Sequence, residues 1–390
     1  MKTRLGRVAL GLAAALALSA GLAQSAAAHP AGHQNRGPEP KHIFVIMMEN
    51  HGFSQIIGNT ADAPFINQLA AHANVATNYF GVTHPSLTNY LSAISGSFQG
   101  IWDDCKAGSD VFCAPEEFIP GSGDGTAGDY LTDAQIASAS ATAHLFSGAN
   151  IVDQLDARGL SWRAYMQTMP EVGSQVEYWP VIDTPTGPVT VKLYAQKHNP
   201  FMYFSDINYP GSARLVNIVP FKFKRFAADL RSRHVPNFVW ISPDQCNDMH
   251  GISASTASLI GNPNCGFPDS GLDHGAIQLG DAFLKKAVRT ITHSRTWRTE
   301  ASSLVIVWDE DDYSGIDGCC GSPTGKNGVV LGGASAPLLV INSNGRGEST
   351  AVAANHYSLL ATIEHLWQLP CLANACAIGP SGQLGSLFGT

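Results

Sequence analysis

Residues 42–48 read HIFVIMM and stop at Glu49-Asn50; residues 303–308 read SLVIVW and stop at Asp309-Glu310. A short, unbroken apolar run offers no polar face to water, so each reads as a strand covered on both sides. The runs 237–242 (NFVWIS) and 337–342 (PLLVIN) are of the same kind, 160–166 (LSWRAYM) is a further strand, and 75–80 (VATNYF) reads as another. Between them lie helical patterns. One begins near Pro64 (PFINQLAAHA) with Asp62 as its cap; one runs from Ser86 to Ile94, opened by Pro85 and ended by Gly96. Asn150 caps a helix through Leu155, Asp273 to Ile291 is amphipathic, and Tyr357 to Leu369 is the last long helix. Apolar strands bounded by helices predict an α/β fold with a mainly parallel central sheet and helices on both faces. No internal repeat or linker divides it. A single domain is expected over 41–390, with an insertion around 97–145, rich in Gly, Asp, Ser and Ala, lying over one end of the sheet.

The chain begins like an exported protein. Lys2, Arg4 and Arg7 precede an apolar stretch from Val8 to Leu22, and Ala26 and Ala28 fit a small-x-small cleavage site. The expectation is a signal peptide over 1–28, cut after Ala28, then a loose polar stretch over 29–40. An uncleaved anchor is the alternative, but the run is short for a span. No later stretch suits an integral membrane span. Without residues 1–28 the formal charge moves from −8 to −11, which argues against nucleic acid as a partner. Eight cysteines in an exported chain imply disulfides. Cys105 with Cys113, Cys246 with Cys265, and Cys371 with Cys376 are local pairs; the adjacent Cys319 and Cys320 need a vicinal bridge or distant partners. A thiolate metal site is the rival reading, and the C-x-x-C spacing that marks one is absent.

Chemistry concentrates where the strands stop. Glu49 and Asn50 follow the first strand, Asp248 and His250 come after the strand ending at Ser242, Asp309 and Glu310 follow Trp308, and His356 comes after the strand ending near Asn342. Ligands of open α/β sheets bind outside the carboxyl ends of strands, so these segments are expected at one rim. Carboxylates, an amide oxygen and imidazoles suit one or two divalent cations, with calcium, zinc and iron all open. Taken singly, each has an ordinary reading: a turn, a helix cap or a solvated acidic loop. Their joint position is what points to metal. Ser86, at a helix N-terminus where N–H groups favour anions, is the candidate nucleophile, although an N-cap serine is the commoner reading. Asn89, one turn on, is a candidate for a phosphate oxygen, and His84 lies close by.

The block from Pro64 to Gly96 (PFINQLAAHANVATNYFGVTHPSLTNYLSAISG) resembles the nucleophile segment of the alkaline phosphatase superfamily. More closely, IMMENHGF, HPSLTNYLSAISG, CNDMH, VWDEDD and HYSLLATIEHLWQLP, in that order from residue 46 to 370, resemble the bacterial phosphoesterase family of secreted acid phosphatases and phospholipases C. The resemblance implies an alkaline-phosphatase-like fold, Ser86 as the phosphorylated nucleophile, and Glu49, Asn50, Asp309 and Glu310 as metal ligands. It implies Asp248, His250 and His356 as further metal or phosphate contacts. It also places His198, in YAQKHNPF, toward the phosphate or the leaving group. Thr88 stands where proline is common, Gln167 where glutamate is expected, and His51-Gly52-Phe53 where phospholipase C members often carry Arg-Ser-Phe. The last of these, with the HPS and HYSLLATIE forms, favours the acid phosphatase branch: a secreted, metal-dependent phosphomonoesterase acting on a small phosphoester through a phosphoserine. A phospholipase C or other phosphodiesterase acting on phospholipids is the first alternative. A non-catalytic secreted binding protein is another, and an arylsulfatase-like relative is disfavoured because no C-x-P-x-R motif surrounds Ser86.

Overall fold

A computed structural model describes residues 39–109 and 127–390. The expected signal peptide, most of the polar stretch after it, and Cys113 lie outside the described residues. The strands are β1 (His42–Met48), β2 (Asn74–Ala76), β3 (Tyr79–Phe80), β4 (Trp162–Gln167), β5 (Tyr178–Thr184), β6 (Gly187–Ala195), β7 (Ile218–Phe221), β8 (Phe238–Ser242), β9 (Ser302–Trp308), β10 (Leu338–Asn342) and β11 (Ala354–Asn355).

Seven of these form the central sheet in the order β2-β10-β9-β1-β8-β4-β7. β9, β1, β8, β4 and β7 run parallel, with Val45 level with Val305 on one side and Trp240 on the other. β10 is antiparallel to β9 and to β2. Every residue of β1, β8 and β9 is buried. Successive side chains point to opposite faces, so both faces are covered. One helix group pairs Ser86–Ser95 with His356–Leu366; another gathers Pro64–Ala70, Phe223–Asp229 and Arg295–Thr299 around His274–Thr292. Among the described residues no helix is long and apolar enough to cross a membrane.

Several expectations change in detail. The stretch 75–80 is two strands: β2 joins the central sheet and β3 pairs with β11. The hairpin of β5 and β6 was not legible, because its burial alternates and half its side chains face water. Its Val191 packs with Cys246, Ile252 and Cys265 beside the central sheet. Asp62 does not cap Pro64–Ala70. Its oxygens take bonds from Asn59, Gln278 and His274, and the free N–H groups of Phe65 and Ile66 donate instead to Asp281 of the facing helix, at 3.2 and 2.8 Å. Gly96 ends the Ser86 helix as expected, with φ +70° and the Leu372 carbonyl where a Cβ would sit. Cys246 bonds Cys265, Cys371 bonds Cys376, and Cys319 bonds its neighbour Cys320. Cys105 is also disulfide-bonded, so no described cysteine is available as a thiolate.

The Asp281 carboxylate ties two helices by capping one from the other. Asp281→Ala should lower stability by about 1–2 kcal/mol, the cost of losing such a cap. A urea midpoint within error of wild type would show that the cap contributes nothing.

Candidate active site

Parallel pairing carries three chain segments to one rim. The Glu49 N–H donates to the Asp248 carbonyl at 2.9 Å, and the Asp309 N–H donates to the Met48 carbonyl at 3.0 Å. The segments after β1, β8 and β9 are thus fastened side by side, as their positions beyond strand ends predicted. Side chains tighten the join. The Asn50 N–H reaches Asp309 Oδ1 at 3.2 Å, and Asn50 Nδ2 reaches Glu310 Oε1 at 3.3 Å.

Ser86 enters from the start of its helix. Its Oγ lies 2.9 Å from Glu49 Oε2 and 3.4 Å from both Asn50 Oδ1 and Glu310 Oε1. A hydroxyl carries one proton, so it satisfies only one of three acceptors at a time. Glu49, Ser86, Asp248, Asp309 and Glu310 are all fully buried. Burial, then neighbouring carboxylates, raises the pKa of Glu49, Asp248 and Glu310 well above the usual range; Asp309 is raised likewise by burial and Glu310. Glu49 Oε1, Asp248 Oδ2, Asp309 Oδ2 and His198 Nε2 have no hydrogen-bond partner although buried. Converging acceptors with unmatched lone pairs are what a cation would satisfy, so the donor set fits a divalent metal.

The imidazoles separate into two kinds. His198 sits between carboxylates, with Nε2 3.3 Å from Glu49 and Nδ1 3.3 Å from Asp248, its ring stacked on Tyr90. His250 uses Nδ1 on the Gly251 carbonyl, which leaves the Nε2 lone pair as an acceptor toward the Lys197 ammonium at 3.4 Å. Burial and the Lys197 charge hold His198 well below its ordinary pKa and His250 at about 3, so both rings are neutral. One ligand atom each from Glu49, His198 and His250 fall within 4.8 Å of one another.

His356, expected among the metal contacts, does not offer a ligand. Its Nε2 lies 2.6 Å from the Asp309 carbonyl, which can only accept, so that nitrogen carries the proton; Nδ1 takes the Tyr79 hydroxyl at 2.8 Å. No lone pair remains, and His356 orients Asp309. Its route to the rim also differs from expectation. β10 is antiparallel, so Asn342 ends at the far rim and the chain returns before His356.

Asn89 and His84 likewise spend their polar atoms on partners within the protein. Asn89 Oδ1 takes the N–H groups of Val82 and Thr83, and Nδ2 donates to the Thr83 carbonyl and to Glu310. His84 is fully buried, its ring nitrogens on Glu310 at 2.9 Å and the Gly315 carbonyl at 3.0 Å. Both hold Glu310 in place.

Two residues were missed. Lys197 lies inside the quoted YAQKHNPF stretch, and its Nζ bonds Asp104 at 2.7 Å and approaches His250 Nε2 at 3.4 Å. Burial opposes its charge, but Asp104, Glu49 and Glu310 outweigh burial and keep Lys197 protonated. Asp104 also accepts the Leu87 N–H at 3.0 Å, directly after Ser86. A carboxylate thus rests on the anion-favouring end of the Ser86 helix. The only available signal was the acidic pair Asp103-Asp104, which looks like a solvated turn. Above these groups opens a cleft of about 1420 Å³, lined by Asn50, Asp104, Lys197 and His250 below and by Tyr178 and Lys192 of the hairpin at one side.

The phosphoesterase family model matches residues 59–260, just over half of the chain. That span holds Ser86, Lys197, His198, Asp248 and His250, and the pairs Glu49-Asn50 and Asp309-Glu310 flank it. A protein named "Probable acid phosphatase" from Kluyveromyces lactis is 26% identical over 332 residues, covering 85% of this chain and 59% of its own length. The phosphatidylinositol-3-phosphatase of Mycobacterium tuberculosis is 25% identical over 336 residues, covering 85% and 79%. The chain therefore spans about three fifths of the first and four fifths of the second. A solved protein of the alkaline phosphatase superfamily from Vibrio parahaemolyticus overlays with a TM-score of 0.43 at 12% identity, covering 89% of this chain and 70% of that one.

Buried like charges make metal content readable as stability. Chelator-stripped protein should gain about 2.7 kcal/mol when the fitting ion is added at a hundredfold excess over its Kd, seen as a Tm rise of several degrees. Asp309→Asn should shrink that rise. No shift with calcium, zinc or iron would defeat the metal assignment.

Proposed function

The chain belongs to the phosphoesterase family, and from that premise we propose that it is an exported, metal-dependent phosphomonoesterase of the acid phosphatase type that works through a phosphoserine at Ser86. The observation that carries this reading is the Ser86 hydroxyl, held at a helix N-terminus among the side-chain oxygens of Glu49, Asn50 and Glu310. The basic leader sequence and the disulfides support export.

A divalent cation held by Glu49, Asn50, Asp309 and Glu310, with Asp248, His198 and His250 beside it, would supply charge that acidifies the Ser86 hydroxyl and offsets the phosphoryl oxygens. The chain's own groups do the rest. Glu49 Oε2 accepts the Ser86 proton at 2.9 Å, which aims the oxygen lone pairs away from that carboxylate. A phosphoryl group entering the cleft meets the Lys197 ammonium and displaces Asp104 from the Leu87 N–H, so the helix end and Lys197 bind its oxygens. The Ser86 oxygen forms a bond to phosphorus as the bond to the alcohol oxygen breaks. Lys197 is placed to give that oxygen a proton. Water then attacks phosphorus from the vacated side, His250 Nε2 takes its proton and passes it to Lys197 at 3.4 Å, and the bond to the Ser86 oxygen breaks as Glu49 returns the serine proton, releasing Ser86 and inorganic phosphate. Two displacements replace one difficult step.

The cleft favours a second reading for the leaving group. At about 1420 Å³, with Ile252, Phe267, Pro268, Leu272 and Lys192 in its lining, it accepts an alcohol much larger than a simple phosphoester carries. A phosphorylated lipid headgroup such as phosphatidylinositol 3-phosphate fits that description, and one relative bears that activity in its name.

Mature protein should release phosphate from p-nitrophenyl phosphate, and chelator should abolish this. Ser86→Ala should lower kcat about 10³-fold or more. Wild-type protein stopped in acid should carry phosphate on Ser86. Full activity in Ser86→Ala would sink the nucleophile assignment. Faster release of phosphocholine from phosphatidylcholine than of phosphate from either monoester would replace the monoesterase with a phospholipase C.

A further inference from the structure

Ten of the chain's 23 lysines and arginines fall in two segments, 222–233 (KFKRFAADLRSR) and 285–298 (KKAVRTITHSRTWR), which together hold one carboxylate, Asp229. The fold joins them. Helices Phe223–Asp229 and Arg295–Thr299 both pack on His274–Thr292, and a groove of about 850 Å³ runs along their junction. Arg231, Lys285, Lys286, Arg289, Arg295 and Arg298 line it, all exposed. Among the described residues none of the six forms an ion pair: Asp229 is turned to Arg163, Arg225 and Tyr165. Lys286 lies over the Phe223 ring at 4.0 Å and Arg298 donates to the His293 carbonyl at 2.7 Å, but no described carboxylate pairs with any of the six, so in a chain of net charge −8 these cations repel one another around one concavity.

The groove is separate from the Ser86 site. Asp273, which caps the His274–Thr292 helix, lines the catalytic cleft. Lys285 and Arg289 lie 12 and 16 residues further along, about 18 and 24 Å at the helical rise. One phosphoryl group cannot serve both.

The lining also selects the ligand. Between the cations lie Ala227, Leu230, Ala282, Thr290 and Ser294, with His293 as the single ring and no Phe, Tyr or Trp, so a run of bases finds no stacking platform beyond that one imidazole. None of the large exposed apolar side chains borders the groove, and a concave surface with no apolar rim has nothing to insert into a bilayer. We propose that this groove is a binding site for a flexible polyanion of repeated phosphate groups without bases, laid along Arg231, Lys285, Arg289 and their neighbours.

Labelled long-chain inorganic polyphosphate is the probe, with the full chain. Binding should weaken with salt along a log–log slope of about −4, as expected for six neutralised phosphates. Arg231→Glu/Lys285→Glu/Arg289→Glu should weaken it at least tenfold, with p-nitrophenyl phosphate turnover unchanged as evidence of folding. The milder Arg231→Gln/Lys285→Gln/Arg289→Gln should weaken it about threefold and carries the test if the first variant misfolds. Unchanged polyphosphate binding in the folded variant would overturn the proposal. So would tighter binding, dependent on the same residues, to oligothymidylate or to phosphatidylglycerol vesicles.

Discussion

Like charges held together in a dry place are the constraint on which this fold is organised. Glu49, Asp248, Asp309 and Glu310 come from three chain segments, all are fully buried, and each raises the cost of ionising its neighbours. A group of this kind exists only if the scaffold forbids retreat. The parallel arrangement of β8, β1 and β9 does so, because it aims three carboxyl ends at one rim and then continues the main-chain ladder past them, through the Glu49 and Asp309 N–H bonds. β10 runs the other way, and its end contributes nothing to that rim.

A surrounding set of residues fixes each carboxylate without joining the cluster. His356 and Tyr79 hold the Asp309 backbone; Asn89 and His84 hold Glu310; Asp103 pairs with buried His144 at 2.6 Å in the segment that presents Asp104. These contacts leave one oxygen each of Glu49, Asp248 and Asp309 unmatched. Such second partners decide orientation as strictly as the inner groups do.

The same division explains what the sequence could and could not disclose. Runs such as HIFVIMM and SLVIVW are legible because each is too short for a buried helix and stops abruptly at polar residues, and the acidic pairs at their ends follow from topology. The hairpin was invisible because it lies outside the central sheet and half its side chains face water. Residue type misled at His356 and Asn89: a histidine or asparagine beside a metal site looks the same whether it faces the ion or turns its back. For His356 the deciding partners, Tyr79 and a main-chain carbonyl, lie 277 and 47 residues away. Lys197 and Asp104 failed to register for the opposite reason, since a charged residue on a loop reads as solvated until the fold buries it. Net charge concealed the cationic groove, because an average says nothing of where charges gather.

The hairpin of β5 and β6 has a consequence for descent. It stands outside the central sheet and rests on the loop closed by Cys246 and Cys265, yet it provides Tyr178, Thr190 and Lys192 to the mouth of the cleft and no oxygen to the cluster below. Mutations there can accumulate without touching the rim that holds Ser86. A lineage built on this plan can therefore redraw the ribbon at the mouth of its cleft while inheriting the buried carboxylate cluster unaltered, so change is tolerated on the hairpin and severely restricted at the strand ends.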